Sequence, residues 1–431
     1  MVVFHTIRIA DLGRVVTGKT PPSAQPELFG DTHPFLTPTD IDGFARHLEP
    51  DRFLSAAGRD YQHRLMLPSR AVCVVCIGAT IGKVCMTDRP SFTNQQINSV
   101  VVNEAEHDPF FVYHLLTTLR DELKSNAGGA ATPIINKTVF SEIKISVPPL
   151  RVQQRIAGIL SAYDELIENS QRRIKILEEM ARALYREWFV HFRFPGHEHH
   201  PRVASPLGEI PQGWEVKRLD EVCRSIQDGD WIETKDQGGE DYRLLQISNV
   251  GVGEFIETGN FRYVTQATFD RLRCNEIVPG DLLVARMPTP IGRGWLVTRM
   301  PWRMITAVDV AIIRAEPTVI HPLFLVQAWN DSSNLQRISA QASGTTRLRI
   351  TRRELAAMEF VIPPIPVQQQ FAKIAQPQST MVEALRQQIQ NLRRTRDLLL
   401  PRLLSGQVAV DAIPDPDSPF ANSESGQGAS A

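Results

Sequence analysis

Two thirteen-residue stretches, beginning Pro148-Pro-Leu-Arg-Val-Gln-Gln and Pro363-Pro-Ile-Pro-Val-Gln-Gln, share seven identical positions at an offset of 215 residues in a chain of 431. That offset fits twice into the chain, so any fold must accommodate two similar halves. It also carries Gly129 onto Gly344 and the alternating run Ile143, Ile145, Val147 onto Met358, Phe360, Ile362. Alternation of period two predicts a half-buried strand, and the paired prolines that follow cannot extend a ladder.

After the prolines the period becomes helical. Val152, Ile156, Ile159, Tyr163, Leu166, Ile174, Leu177, Ala181, Leu184 and Trp188 step by threes and fours, with an extra step of four near Ser170. The second copy places Val367, Phe371, Ile374, Met381, Ile389, Leu392, Leu399 and Leu403 alike, with its irregular step from Leu385 to Ile389. This is a heptad seam with one stutter per copy, and two such helices in one chain predict one intramolecular pair. A helix over 151–188 would be about 55 Å long, enough to lie beside more than one turn of duplex DNA. Pro377 is expected to kink or split the second helix. Ser161 and Asp164 resemble a capping box, from which a restart of both helices is expected.

Residues 1–147 and 213–362 mix short β-rich runs, such as Ala71 to Ile77 and Asp281 to Ala285, with fewer helical stretches, Phe110 to Leu123 and Leu323 to Asn330. Each reads as an α+β domain of ordinary size. Helical regions follow at 148–193 and 363–408, with a Pro-, Gly- and His-rich linker at 194–212 and a tail at 409–431 expected to be disordered. His197, His199 and His200 are better read as solvated linker than as metal ligands. Five cysteines are no disulfide framework, and Cys73 and Cys76 point to opposite faces of a strand, as core. The chain lacks a signal-like start and a run long enough to span a bilayer, which leads to the expectation of a cytoplasmic protein.

Forty-seven basic against 48 acidic residues exclude a polybasic coat, so nucleic-acid contacts must be local. No Walker-type phosphate loop is present, nor the Asp/Asn-Pro-Pro-aromatic tetrapeptide of amino-methyltransferases. Glu122-Leu-Lys and Glu142-Ile-Lys match only the tail of a nuclease signature, so no catalytic residue and no metal ligand is assigned. What remains is donor-rich loop surface. In the first domain it comprises Lys19, Thr20, Thr80, Lys83, Asn94, Gln95, Gln96, Asn98, Asn136 and Lys137. In the second it comprises Ser248, Asn249, Arg286, Thr289, Arg293, Arg303, Thr345, Thr346, Arg347, Arg349 and Arg352. Amide side chains pair with adenine edges, Arg with guanine, and Lys and hydroxyls with phosphate, so the set favours DNA.

The stretch from Val147 to Asn169, the run Arg172 to Glu198, the opening Gly213-Trp-Glu-Val-Lys-Arg-Leu219 and the ending Leu399-Leu-Pro-Arg-Leu-Leu-Ser-Gly406 resemble the specificity subunit of type I restriction-modification systems. The resemblance implies an α+β fold in which two target-recognition domains alternate with two long helices paired as an antiparallel coiled coil. It implies a non-catalytic subunit of a prokaryotic cytoplasmic complex that reads a bipartite duplex target. Two methyltransferase subunits would methylate adenine N6, restriction subunits would cut unmodified DNA, and S-adenosylmethionine, ATP and Mg would be used by those partners. The competing readings are a helical scaffold with no DNA role and a stand-alone nuclease using Glu122 and Glu142.

Overall fold

The structure, a computed structural model, describes residues 3–41, 48, 50–128, 132–344, 347–408 and 410; Gly129, Thr345, Thr346 and the tail from 411 lie outside them. The chain divides into two compact units, Met1–Ser170 with Gln388–Ala431, and Gln171–Gln387.

In the first unit an antiparallel sheet runs in the order Gly13–Thr17, Ile97–Val102, Val72–Val75, Val84–Met86. Its strands are apolar on both faces, as strands covered on both sides must be. Val15, Val72, Val74, Val84 and Val100 pack with Phe111, Val112 and Leu116 of helix Pro109–Thr118. Val16, Cys73, Val75, Cys85 and Ile97 pack with Leu36, Ile41 and Leu67 from the region of a second, smaller sheet. Cys73 and Cys76 join these opposite clusters, and each buried aliphatic side chain contributes roughly 1.5–3 kcal/mol. The alternating run after Ile143 forms strand Lys144–Val147, paired antiparallel with His5–Arg8.

The second unit repeats this plan. Its sheet runs Cys223–Asp228, Val310–Ala315, Leu282–Ala285, Gly294–Leu296, the same order of equivalents. Helix Pro322–Asn330 covers one face with Phe324, Leu325 and Trp329, while Leu245, Ile277 and Met304 cover the other. Glu359–Ile362 pairs with Glu215–Arg218. The expected linker is more ordered than its composition suggests. Arg202–Ser205 and Gly208–Pro211 form an antiparallel ribbon, and Phe194 and Ile210 are buried in the cluster that holds Trp214.

The shared Val-Gln-Gln motif has a mechanical explanation. Gln153, buried, accepts from the Asp108 amide at 3.0 Å and donates to the Pro148 carbonyl at 2.8 Å. Gln368, at the same place in the second copy, accepts from the His321 amide at 2.8 Å and donates to the Pro363 carbonyl at 2.7 Å. Each glutamine thus ties the start of a long helix to the N-cap of its domain's own helix, Asp108 before Pro109 and His321 before Pro322.

The long helices are Leu150–Tyr185 and Ile365–Leu404, and they correct three expectations. Pro377 neither splits nor ends its helix. It is exposed within the continuous helix, as are Lys373, four residues before it, and Gln376. Asp164 does not cap a restart, because its carboxylate lies 2.7 Å from Arg396 and both side chains are buried. The stutter of the second copy also disappears, while in the first the irregular turn at Ser170 remains, Ser170 being buried and the heptad position Gln171 exposed. On either side of it Leu160, Asp164, Ile167, Ile174, Glu178, Ala181, Tyr185 and Trp188, buried or half-buried, keep heptad spacing. So do Gln368, Phe371, Ala375, Gln378, Val382, Leu385, Ile389, Leu392, Arg396, Leu399 and Leu403. Polar residues fill seam positions, and a count of apolar residues alone mistakes them for gaps. Consequently Leu166, Ile374 and Met381, expected in the seam, are 48%, 46% and 44% exposed, and the next residue along is buried in each case. Ile156, Ile159, Trp188, Phe371, Ile389 and Leu403 are buried, and Val152, Ile174, Leu177, Leu184, Val367, Leu392 and Leu399 half-buried.

Within each unit the two helices run antiparallel. In the first, Ile156 and Leu160 share a core with Leu400 and Leu403, and Asp164 meets Arg396. In the second, Trp188 and Phe371 stack edge-on at 6.2 Å, and Glu178 meets Arg386 at 2.7 Å.

Candidate nucleic-acid interface

In the second domain the strand Cys223–Asp228 and the segment 349–353 enclose an open cleft of about 720 Å³ lined by Arg224, Arg286, Arg349, Arg352 and Arg353, with Asp228 among them. The geometry follows from the backbone. Ile350 donates its amide to the Arg286 carbonyl, and Thr351 caps the short helix Arg352–Ala356, which brings the basic segment over the strand end. Arg286 is buried, with Asp228 at 2.8 Å and Asp309 at 3.8 Å. Burial lowers its pKa, opposed by those two carboxylates. Arg349 reaches Asp309 at 2.8 Å but stays 42% exposed, and Arg352 lies 3.7 Å from Asp228 at 54% exposure. Arg347 and Arg353 are exposed. Arg224 is engaged by Glu316 at 2.9 Å. The result is a concave surface whose outer guanidinium groups face water while the inner one holds the frame.

The equivalent surface of the first domain is polar rather than arginine-rich. Lys19 is exposed, with its ammonium 5.8 Å from the centre of the Tyr61 ring, and Thr20 donates to Gln95 at 2.7 Å. Gln95 and Lys137 are exposed, and Thr80 is half-buried. The Asn136 side chain accepts from the Val139 amide as an N-cap.

Several expected DNA contacts hold the fold instead. Lys83 donates to the Ile41 carbonyl at 2.6 Å, and Arg293 donates to the carbonyls of Val250 at 2.6 Å and Ile247 at 3.0 Å. Both cations pin the same loop in their respective domains, so the Gly-Lys and Gly-Arg pairs that follow Ile81 and Ile291 are structural. Asn98 is buried and accepts from Thr17 at 2.6 Å. Asn94 is buried with Gln96 at 2.9 Å. Asn249 is buried and closes its own turn by accepting from the Gln246 amide at 2.8 Å. Arg303 makes a two-pronged contact with Glu276 at 2.8 Å over the Tyr242 ring, and Arg303 is not among the residues lining the arginine cleft. Ser248 and Thr289 are exposed on separate loops. Thr345 and Thr346 lie outside the described residues. The sequence reading missed Tyr61 and Trp231, both exposed aromatics, because a single aromatic residue outside a periodic pattern carries no local signal.

Among the described residues no group of three or more His, Cys, Asp or Glu side chains is placed to hold a metal, and no helix is long and apolar enough to cross a membrane.

Comparison with known proteins adds three findings. Residues 1–179 match the family described as the type I restriction modification DNA specificity domain. The chain is 24% identical over 415 residues to the type I restriction enzyme MjaIX specificity subunit of Methanocaldococcus jannaschii, covering 94% of each, and 33% identical over 178 residues to the HindI specificity subunit of Haemophilus influenzae, covering 39% of this chain and 38% of that one. In fold it is similar to the type I restriction-modification S subunit from M. genitalium, with a TM-score of 0.57 at 14% identity, over 93% of this chain and 96% of that one.

Proposed function

We propose that this chain is a type I restriction-modification specificity subunit that reads a bipartite duplex DNA target, one half-site per domain, for partner enzymes that methylate or cut; the family match over residues 1–179 and the end-to-end similarity to the MjaIX subunit support this. Domains 1–147 and 213–362 are the readers. The observation that carries this is the repetition of one sheet-and-helix frame with unlike loop chemistry at its edge: Lys19, Thr20 and Gln95 in one copy, Arg347, Arg349, Arg352 and Arg353 in the other. Lys and Arg take phosphates and fix register, while amides and guanidinium groups aimed into the major groove discriminate bases. A wrong base pair then costs about 1–3 kcal/mol, so few contacts suffice.

The helical regions 148–193 and 363–408 hold the partners: two methyltransferase subunits acting on adenine N6, joined by restriction subunits. Exposed apolar side chains support this. Ile176, Met180, Ile374 and Met381 are between 44% and 50% exposed on helices whose seam is already filled. S-adenosylmethionine, ATP and Mg serve those partners, and the extruded adenine enters the methyltransferase pocket. The assembly works in the prokaryotic cytoplasm.

The test is to express the chain with a type I methyltransferase subunit and map methylated adenines genome-wide. One split motif is expected, while the isolated chain with S-adenosylmethionine transfers nothing. Methylation by the chain alone, or affinity for duplex DNA that does not fall with added salt, overturns the reading.

A further inference from the structure

The two domains share a backbone loop at the end of the first sheet strand, and they load it with opposite chemistry. In the first domain Gly18 donates to the Ile97 carbonyl at 3.2 Å and Lys19 to the Thr93 carbonyl at 2.9 Å. In the second Gly229 donates to the Val310 carbonyl at 2.9 Å and Asp230 to the Thr306 carbonyl at 2.7 Å. Both glycines are obligatory, since a Cβ would lie 2.2 Å from a carbonyl oxygen, of Thr93 in one case and Ala307 in the other. Lys19 therefore matches Asp230, and Thr20 matches Trp231.

The substitution changes what the loop offers. Asp230 is turned inward to Asn275 at 3.1 Å, which removes the cation of the first domain and adds no exposed charge. Trp231 is left 72% exposed, more than any other large apolar side chain described. Its loop is joined to segment 306–309, whose Asp309 holds Arg349 and whose Val308 carbonyl holds Arg286. The indole stands in water with the Glu233 carboxylate as its hydrogen-bond partner, on a loop joined to the segment that holds Arg286 and Arg349, and an aromatic surface this exposed suits flat, stackable bases.

Resting on the reading of this chain as a DNA-specificity subunit, we infer that Trp231 is a DNA contact of the second domain, stacking on or wedging against a base of its half-site. Its counterpart position in the first domain reads through the Thr20–Gln95 hydrogen-bonding pair. The two half-sites are then engaged by different physics at the same place in the frame, one by polar edge contacts and one by an aromatic face.

The experiment uses the full chain assembled with its methyltransferase partner and, as probe, a dye-labelled duplex carrying the motif found by methylation mapping. Binding is followed by dye anisotropy and, in parallel, by tryptophan emission, taken as the difference between parent and Trp231→Phe. The exposed-indole component should be quenched at saturation. Trp231→Ala should weaken binding about ten- to a hundredfold, as expected for loss of one base stack, with Trp231→Phe recovering most of it. Unquenched emission at saturation, or unchanged affinity of Trp231→Ala, overturns the assignment while DNA reading stands. Absence of any duplex binding by the parent complex removes both.

Discussion

Asp164 and Arg396 face each other across the helix pair of the first unit, 2.7 Å apart and almost without exposure, with His114 at 3.4 Å from the same carboxylate. Burial works against the charged form of Arg396, but Asp164 and then Asp397, at 2.9 Å, together outweigh it, so that the Arg396 pKa is raised. The pair therefore matters chiefly when broken. Arg396→Ala, which leaves the buried Asp164 carboxylate without its guanidinium, is expected to cost about 3–5 kcal/mol in urea denaturation, Asp164→Ala less because Asp397 still pairs with Arg396, and replacing both by Leu should be close to neutral or stabilising. A smaller effect belongs to Glu316, held by the Arg224 guanidinium, then by Thr318, so that its carboxyl titrates at about 2 instead of 4.5. A depressed folded-state value favours the fold above the ordinary carboxylate range, and that contribution is lost as pH falls through about 2. In Arg224→Ala the Glu316 titration, followed by NMR, should move up toward 4.5, and no movement would show that Arg224 is not its cause.

On each long helix the seam is defined by geometry more than by hydrophobicity. Heptad spacing keeps one stripe facing the partner, and Gln368, Gln378 and Arg396 lie in that stripe alongside Phe371, Leu385 and Ile389. Adjacent residues therefore separate the two readings of the seam. Ile167→Asp should destabilise strongly, by several kcal/mol, because it buries a carboxylate without a partner, while Leu166→Asp should stay within about 0.5 kcal/mol. Thermal unfolding of the two variants checks this, and equal losses would return Leu166 to the seam. The glutamine clamps act on the same scale: Gln153 and Gln368 fix where a helix leaves its domain, which explains why this short motif is the part of the repeat that can still be read.

For the molecule as a whole, duplication separates frame from reader. The sheet order, the two clamps and the loop-pinning cations Lys83 and Arg293 recur in both units, while Lys19, Thr20, Asp230 and Trp231 differ on one backbone. If the proposed function holds, replacing residues 1–147 with the corresponding domain of a type I specificity subunit should therefore change one half of the methylated motif and leave the other intact. Methylation mapping reads this directly, and a change in both halves would mean that the domains do not read independently.

The fold class, the doubled plan and the two long helices were determined by the sequence alone, because periodicity, proline stops and a repeat at fixed offset are local or simply countable. The seam's true positions, the unbroken run through Pro377 and which polar side chains are exposed or engaged in the fold were decided only by the tertiary structure. Whether a lysine, arginine or asparagine faces solvent or a neighbouring carbonyl depends on chain segments far away in sequence. Lys83 and Lys19 look alike as residues, but one has the Ile41 carbonyl within 2.6 Å and the other is exposed. Trp231 gave no sign of its exposure in the sequence, because an isolated aromatic looks the same whether it fills a core or waits for a base.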